Sequence, residues 1–141
     1  MKVKLNCILL VDDDEPTNFL NRLAVEELAC IDYIKVIPGA REALEYLSCA
    51  RNPEPLNREC PTPEIIFLDI NMPAMDGWEF LEKYEALPEA HKGSIIVVML
   101  TTSFNPEDEL KARNIQSVNE FRNKPLTSEM LQDILNKYFP E

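Results

Sequence analysis

Four aspartates and one lysine carry the chemistry this chain could perform. Asp12, Asp13 and Asp14 stand directly after the apolar run Ile8-Leu9-Leu10-Val11, and Asp69 directly follows Ile65-Ile66-Phe67-Leu68. Unit charges about 4 Å apart repel by roughly 4 kcal/mol at an effective dielectric near 20, so carboxylates gathered in one crevice need a positive filler. A hard divalent cation such as Mg²⁺ is the natural one, because it takes oxygen ligands and keeps waters that phosphate oxygens can replace. Lys124, followed by Pro125, ends a fifth apolar segment and can neutralise a carboxylate or a transferred phosphoryl oxygen as a point charge. Thr101 and Thr102 close the run from Ile95 to Leu100; their hydroxyls can bond a phosphoryl oxygen or cap the next helix. A lone Asp after a strand is an ordinary helix cap, and for Asp14 or Glu15 that reading stands level with a functional one. Two separate acidic strand ends are harder to explain by capping.

The elements that must position these groups alternate. The near-continuous apolar runs Ile8 to Val11, Ile34 to Ile37, Ile65 to Leu68 and Ile95 to Leu100, with a weaker Val118 to Phe121, suit strands buried on both faces of a parallel sheet. Helix-period segments lie between them. Pro16 fits a first helical turn, with Phe19, Leu20, Leu23, Ala24 and Leu28 as the inward face. Ala40, Ala43, Leu44 and Leu47 make a second face, and Phe80, Leu81 and Tyr84 a third. A fourth helix starts around Asn105-Pro106, and a fifth follows Thr127-Ser128 with Met130, Leu131, Ile134, Leu135 and Tyr138 inward. Strands alternating with helices imply right-handed βαβ units, hence an open α/β sheet with helices on both faces. In such a sheet ligands bind outside the carboxyl ends of the strands, where both acidic groups fall. Residues 48–63, with Pro53, Pro55, Pro61 and Pro63, read as a long surface connection.

The bulk numbers narrow the class. At 141 residues and 45% hydrophobic content, the chain suits one domain with a real core and no output domain. A net charge of −11 argues against direct nucleic-acid binding. The N-terminal apolar run is too short for a signal core or membrane span, so the expected address is the cytoplasm. Cys7, Cys30, Cys49 and Cys60 are far apart with no CxxC pair, which removes the spacing signals of zinc or redox sites and leaves structural thiols.

The runs Leu10-Val11-Asp12-Asp13-Asp14, Leu68-Asp69-Ile70-Asn71-Met72-Pro73 with Asp76-Gly77, Leu100-Thr101 and Asn123-Lys124-Pro125 together resemble the receiver domain of response regulators, over essentially the whole chain. That resemblance implies a five-stranded parallel, doubly wound sheet in the flavodoxin-like order 2-1-3-4-5. It implies Asp69 as phosphoacceptor and metal ligand, Asp13 as a direct Mg²⁺ ligand and Asp12 as one acting largely through water. Asn71 would lend its backbone carbonyl. Lys124 and Thr101 would contact the phosphoryl group, and Thr101 with Phe121 would carry the signal outward, although an ordinary edge-strand aromatic fits Phe121 as well. The implied donor is a phosphohistidine on a histidine kinase or histidine phosphotransfer protein, docking near Phe19 to Leu23, although core burial explains several of those residues equally well. The implied output is a changed face around the fourth helix, fifth strand and fifth helix, read by a downstream protein, from a monomer or a phosphorylation-dependent dimer. Gly77 is expected to supply a backbone conformation that other residues resist.

Two other readings compete. A haloacid-dehalogenase-type phosphatase also places an Asp nucleophile after a strand, and Asp12-x-Asp14 invites that comparison; Pro16 and the missing acidic pair after Lys124 speak against it. A degenerate receiver that binds partners without phosphorylation is disfavoured because every key position is filled.

Overall fold

A computed structural model of the chain describes residues 5–50, 62–70, 72, 75–87, 95–102, 105–124 and 126–139. Strands β1 (Leu5–Val11), β2 (Ile31–Ile37), β3 (Ile65–Asp69), β4 (Ile96–Thr101) and β5 (Val118–Asn123) form one sheet in the order β2-β1-β3-β4-β5. Every pairing is parallel. The described helices are α1 (Glu15–Leu28), α2 (Ala40–Ala50), α3 (Gly77–Glu85), α4 (Pro106–Arg113) and α5 (Ser128–Tyr138).

Side chains alternate across a strand, so the apolar runs feed two separate cores. Leu9, Val11, Ile66, Leu68, Val97 and Met99 pack with residues of α2 and α3 on one face. Ile8, Leu10, Ile65, Phe67, Val98 and Leu100 pack with α1 and α5 on the other. This double burial is why the runs are continuous and not alternating.

The expected inward face of α1 needs correction. Phe19, Leu20 and Leu23 are 63%, 51% and 48% exposed. The buried residues are Asn18, Asn21, Ala24 and Val25. Two asparagines occupy the inward stripe because they bond to groups beneath the helix, which rotates the apolar residues outward. The connection expected over 48–63 also starts later, because α2 continues to Ala50; residues 51–61 lie outside those described. Cys7 and Cys30 are buried free thiols, and burial pushes the Cys7 thiol up to about 11, far from a reactive value. The side chain of Cys49 and all of Cys60 lie outside the described residues. No described helix is long and apolar enough to cross a membrane.

Between β4 and β5 the register slips: Val97 pairs with Val118, but Val98 pairs with Glu120. Asn119 is the extra residue, and its Oδ1 accepts the Val97 N–H at 2.9 Å in place of a backbone carbonyl. Next to it Glu120 gathers Lys137 Nζ at 2.6 Å, the Tyr138 hydroxyl at 2.7 Å and Arg122 Nε at 3.1 Å, tying β5 to α5. Burial pushes the Glu120 carboxyl up, but these donors outweigh it and hold it below its ordinary 4.5. A carboxyl depressed in the folded chain stabilises above its unfolded pKa and loses that contribution as pH falls through the folded value. The stability margin of the wild type over Glu120→Gln is therefore expected at neutral pH and should vanish in acid, read as urea midpoints at several pH values.

Candidate functional site

The sheet order brings the acidic strand ends together. β1 and β3 are neighbours with Val11 opposite Leu68, so Asp12 and Asp69 emerge side by side at the same edge. Ligand oxygens of Asp12, Asp13 and Asp69 all lie within 4.8 Å of one another. Asp12 and Asp69 are buried, at 3% and 5% exposure, while Asp13 faces solvent. Lys124 reaches in from the end of β5. Its Nζ sits 2.6 Å from Asp12 Oδ2 and 2.8 Å from Asp69 Oδ1, with the side chain only 7% exposed. Burial alone would lower the Lys124 pKa; the bonds and attraction to Asp12 and Asp69 more than offset this and raise it.

Charge decides what else fits. Three carboxylates against one ammonium leave two negative charges at a partly buried edge, which a single divalent cation would balance. The donors are all hard oxygens, suited to Mg²⁺ or Mn²⁺ more than to zinc or copper.

Asp14 has the capping role. Its carboxylate accepts the Thr17 N–H at 3.0 Å and bonds the Thr17 hydroxyl, and this contact holds its pKa low. Its own N–H donates to Asp12 Oδ1 at 3.0 Å, so the cap also steadies the Asp12 side chain. Thr101, the last residue of β4, is buried beside the site, and its carbonyl accepts the Lys124 N–H at 2.7 Å. Thr102 is exposed; α4 is capped instead by Asn105, whose Oδ1 accepts the Glu107 N–H. Phe121 pairs with Met99, packs half-buried against the α2–α3 core and lines a hollow of about 190 Å³ between α4 and β5. Asn71, Pro73 and Pro125 lie outside the described residues.

Gly77 is needed for space and not for an unusual backbone angle. Its N–H donates to the Ile70 carbonyl at 2.8 Å, and a Cβ there would sit 2.8 Å from the Asp69 carbonyl oxygen and 3.0 Å from Ile70 Cα. The start of α3 thus rests against the backbone that carries Asp69.

Two residues escaped the sequence reading. Asn18 Nδ2 donates to the Asp12 carbonyl at 2.8 Å, and Asn21 Oδ1 accepts the Leu126 N–H at 3.0 Å. The available signal was a pair of poor helix formers three residues apart, on the same stripe as Ala24 and Val25.

Comparison with known proteins agrees with this geometry. The response regulator receiver domain family matches residues 8–136. A 14.6 kDa protein from the sodA1 3′ region of Leptolyngbya boryana is 30% identical over 131 residues, covering 93% of this chain and 88% of that protein. The crystal structure of a two-component response regulator from Cytophaga hutchinsonii superposes with a TM-score of 0.85 at 30% identity, covering 98% of this chain and 99% of that one. The Mn²⁺-bound form of response regulator Rcp1 superposes with a TM-score of 0.70 at 25% identity, covering 96% and 95%. A parallel sheet in the order 2-1-3-4-5, an aspartate cluster at its carboxyl edge and a family match across nearly the full length lead to one conclusion: this chain belongs to the response regulator receiver domain family.

Proposed function

We propose that the chain is a phosphoacceptor switch in a two-component or phosphorelay pathway, with Asp69 taking the phosphoryl group. The observation that carries this reading is the Lys124 ammonium, seated between Asp12 and Asp69 with Asp13 close by. In the transfer, an Asp69 carboxylate oxygen forms the new P–O bond as the P–N bond to a donor phosphohistidine breaks. The donor is a histidine kinase or histidine phosphotransfer protein, and the leaving imidazole keeps the nitrogen electron pair. Such transfers depend on positioning and charge neutralisation more than on proton transfer. Mg²⁺ held by Asp12, Asp13 and Asp69, with the Asn71 carbonyl, would supply positive charge to the phosphoryl oxygens. Lys124 gives up part of its contact with Asp69 to draw charge from the same oxygens. Hydrolysis of the acyl phosphate resets the switch, and the chain has no other substrate.

The signal leaves through Thr101 and Phe121. A phosphoryl group on Asp69 attracts the Thr101 hydroxyl, and the hollow beside Phe121 gives that ring room to follow. This is a two-state element biased by new charge. The changed surface is the α4–β5–α5 face, read by a downstream protein. The exposed Phe19, Leu20 and Leu23 on α1 support the donor docking there. The chain works in the cytoplasm without contacting nucleic acid. The phosphatase alternative fares worse, because Asp14, the second acid of the Asp12-x-Asp14 pattern that invites it, is engaged as the α1 cap.

Incubation with Mg²⁺ and a small phosphodonor, followed by intact-mass measurement, tests the proposal. One phosphoryl adduct removed by hydroxylamine is expected, absent in Asp69→Asn. An adduct that depends on Asp12 and persists in Asp69→Asn would favour the phosphatase, and no adduct at all would favour an inert adaptor.

A further inference from the structure

The buried asparagines of α1 suggest how the reach of Lys124 is set. Asn18 and Asn21 lie one turn apart on the same inward stripe, and each grips a backbone group belonging to one end of the Lys124 bridge. Asn18 holds the carbonyl of Asp12, the residue whose carboxylate receives the ammonium. Asn21 holds the N–H of Leu126, two residues beyond Lys124, across 105 residues of sequence. On its other side, Lys124 is anchored by its own N–H to the Thr101 carbonyl. The segment carrying the lysine is therefore pinned at both ends, to β4 and to α1.

The energetics favour a positional role over a purely stabilising one. Asn21 is 2% exposed and Asn18 8%, and Asn18 Oδ1 has no hydrogen-bond partner among the described residues. Burying such an acceptor unpaired carries a desolvation cost comparable with what one amide bond returns. Leucine or alanine would pack against Ala24 and Val25 at lower cost. What an apolar residue could not do is fix the Leu126 N–H and the Asp12 carbonyl relative to one helix.

We infer that Asn18 and Asn21 form a brace on α1, with Asn21 acting as a positioning residue that holds the Lys124 segment at the distance from which the ammonium reaches Asp69. This deepens the phosphoacceptor reading and rests on it for its chemical consequence, while the brace itself can be tested without phosphorylation.

The test uses the full chain. Amide hydrogen exchange, followed by NMR in the metal-free protein, is compared for wild type, Asn21→Leu and Asn21→Asp. Loss of the acceptor in Asn21→Leu should speed exchange at Lys124 and Leu126 by about tenfold while central β3 amides are unchanged. Asn21→Asp keeps an oxygen in the same place and should restore protection. Unchanged Leu126 exchange in Asn21→Leu overturns the brace. In the second arm, initial phosphorylation rates with a small phosphodonor should fall about tenfold or more in Asn21→Leu and recover in Asn21→Asp. In a Lys124→Met background the same Asn21→Leu change should cost nothing further, since it acts through the lysine. A rate loss that simply multiplies with that of Lys124→Met overturns the positioning role. A wild type that accepts no phosphoryl group overturns the functional reading, and the exchange arm still decides the brace. If Asn21→Leu does not fold, Asn21→Ser provides the shortened acceptor for both arms.

Discussion

Replacing Lys124 with Met should slow phosphoryl uptake from a small phosphodonor by about 10²–10³-fold, the usual loss when one pre-positioned donor to developing negative charge is removed. The same change should destabilise the metal-free protein by about 3 kcal/mol, because it leaves Asp12 and Asp69 buried together without their shared cation. Saturating Mg²⁺ should return much of this, about 2.7 kcal/mol at a hundredfold excess over its dissociation constant. Urea denaturation with EDTA and with Mg²⁺, beside a mass-resolved time course, reads both effects. The pH dependence has a definite sign. The Lys124 pKa is raised in the folded chain, so the stabilisation is complete below the ordinary 10.5 and disappears only as pH climbs through the higher folded value. An uptake rate unchanged in Lys124→Met would mean that the ammonium serves only the resting protein.

Gly77 is the second position where a small change should have a large effect. The nearest obstacles to a Cβ are backbone atoms of Asp69 and Ile70, which cannot swing aside as a side-chain tip would. Gly77→Ala must therefore push α3 away from the backbone of Asp69 and Ile70, at about 1–3 kcal/mol, and Gly77→Val should cost more. The gain in helix propensity from alanine, at most about 1 kcal/mol, does not offset the clash. Because the displaced backbone carries Asp69 itself, phosphorylation should fall by about 10²-fold even where the variant stays folded. Thermal melts separate the two effects. An alanine variant as stable and as fast as wild type would show that the close approach is dispensable.

The chain order of residue types revealed much of this arrangement, and the failures have physical causes. Strands buried on both faces declare themselves through unbroken apolar runs, so β1, β3 and β4 are legible, and the acidic ends of β1 and β3 follow. The α1 stripe was misjudged because periodicity assigns apolar residues inward, whereas here asparagines make bonds that only a folded neighbour can offer. Leu126 is 105 residues away from Asn21, beyond the reach of any local pattern. At Gly77 the sequence cannot distinguish a glycine kept for backbone freedom from one kept for clearance, and here clearance is the reason. Lys124 was recognisable as a cation at the right edge. That it would bridge two particular oxygens depended on the sheet order.

The extra residue in β5 has a consequence for parity. Val118 and Phe121 are an odd number of positions apart, yet both pack against the same core, an outcome a regular pleat forbids. The bulge at Asn119 resets the count. Drawn into a regular pleat, Asn119 would turn Val118 or Phe121 to the wrong side, whereas deleting it would keep both on one face and lose only the bond from Val97 to Asn119 Oδ1. The fold therefore reads an odd spacing in the sequence as an even one along the pleat.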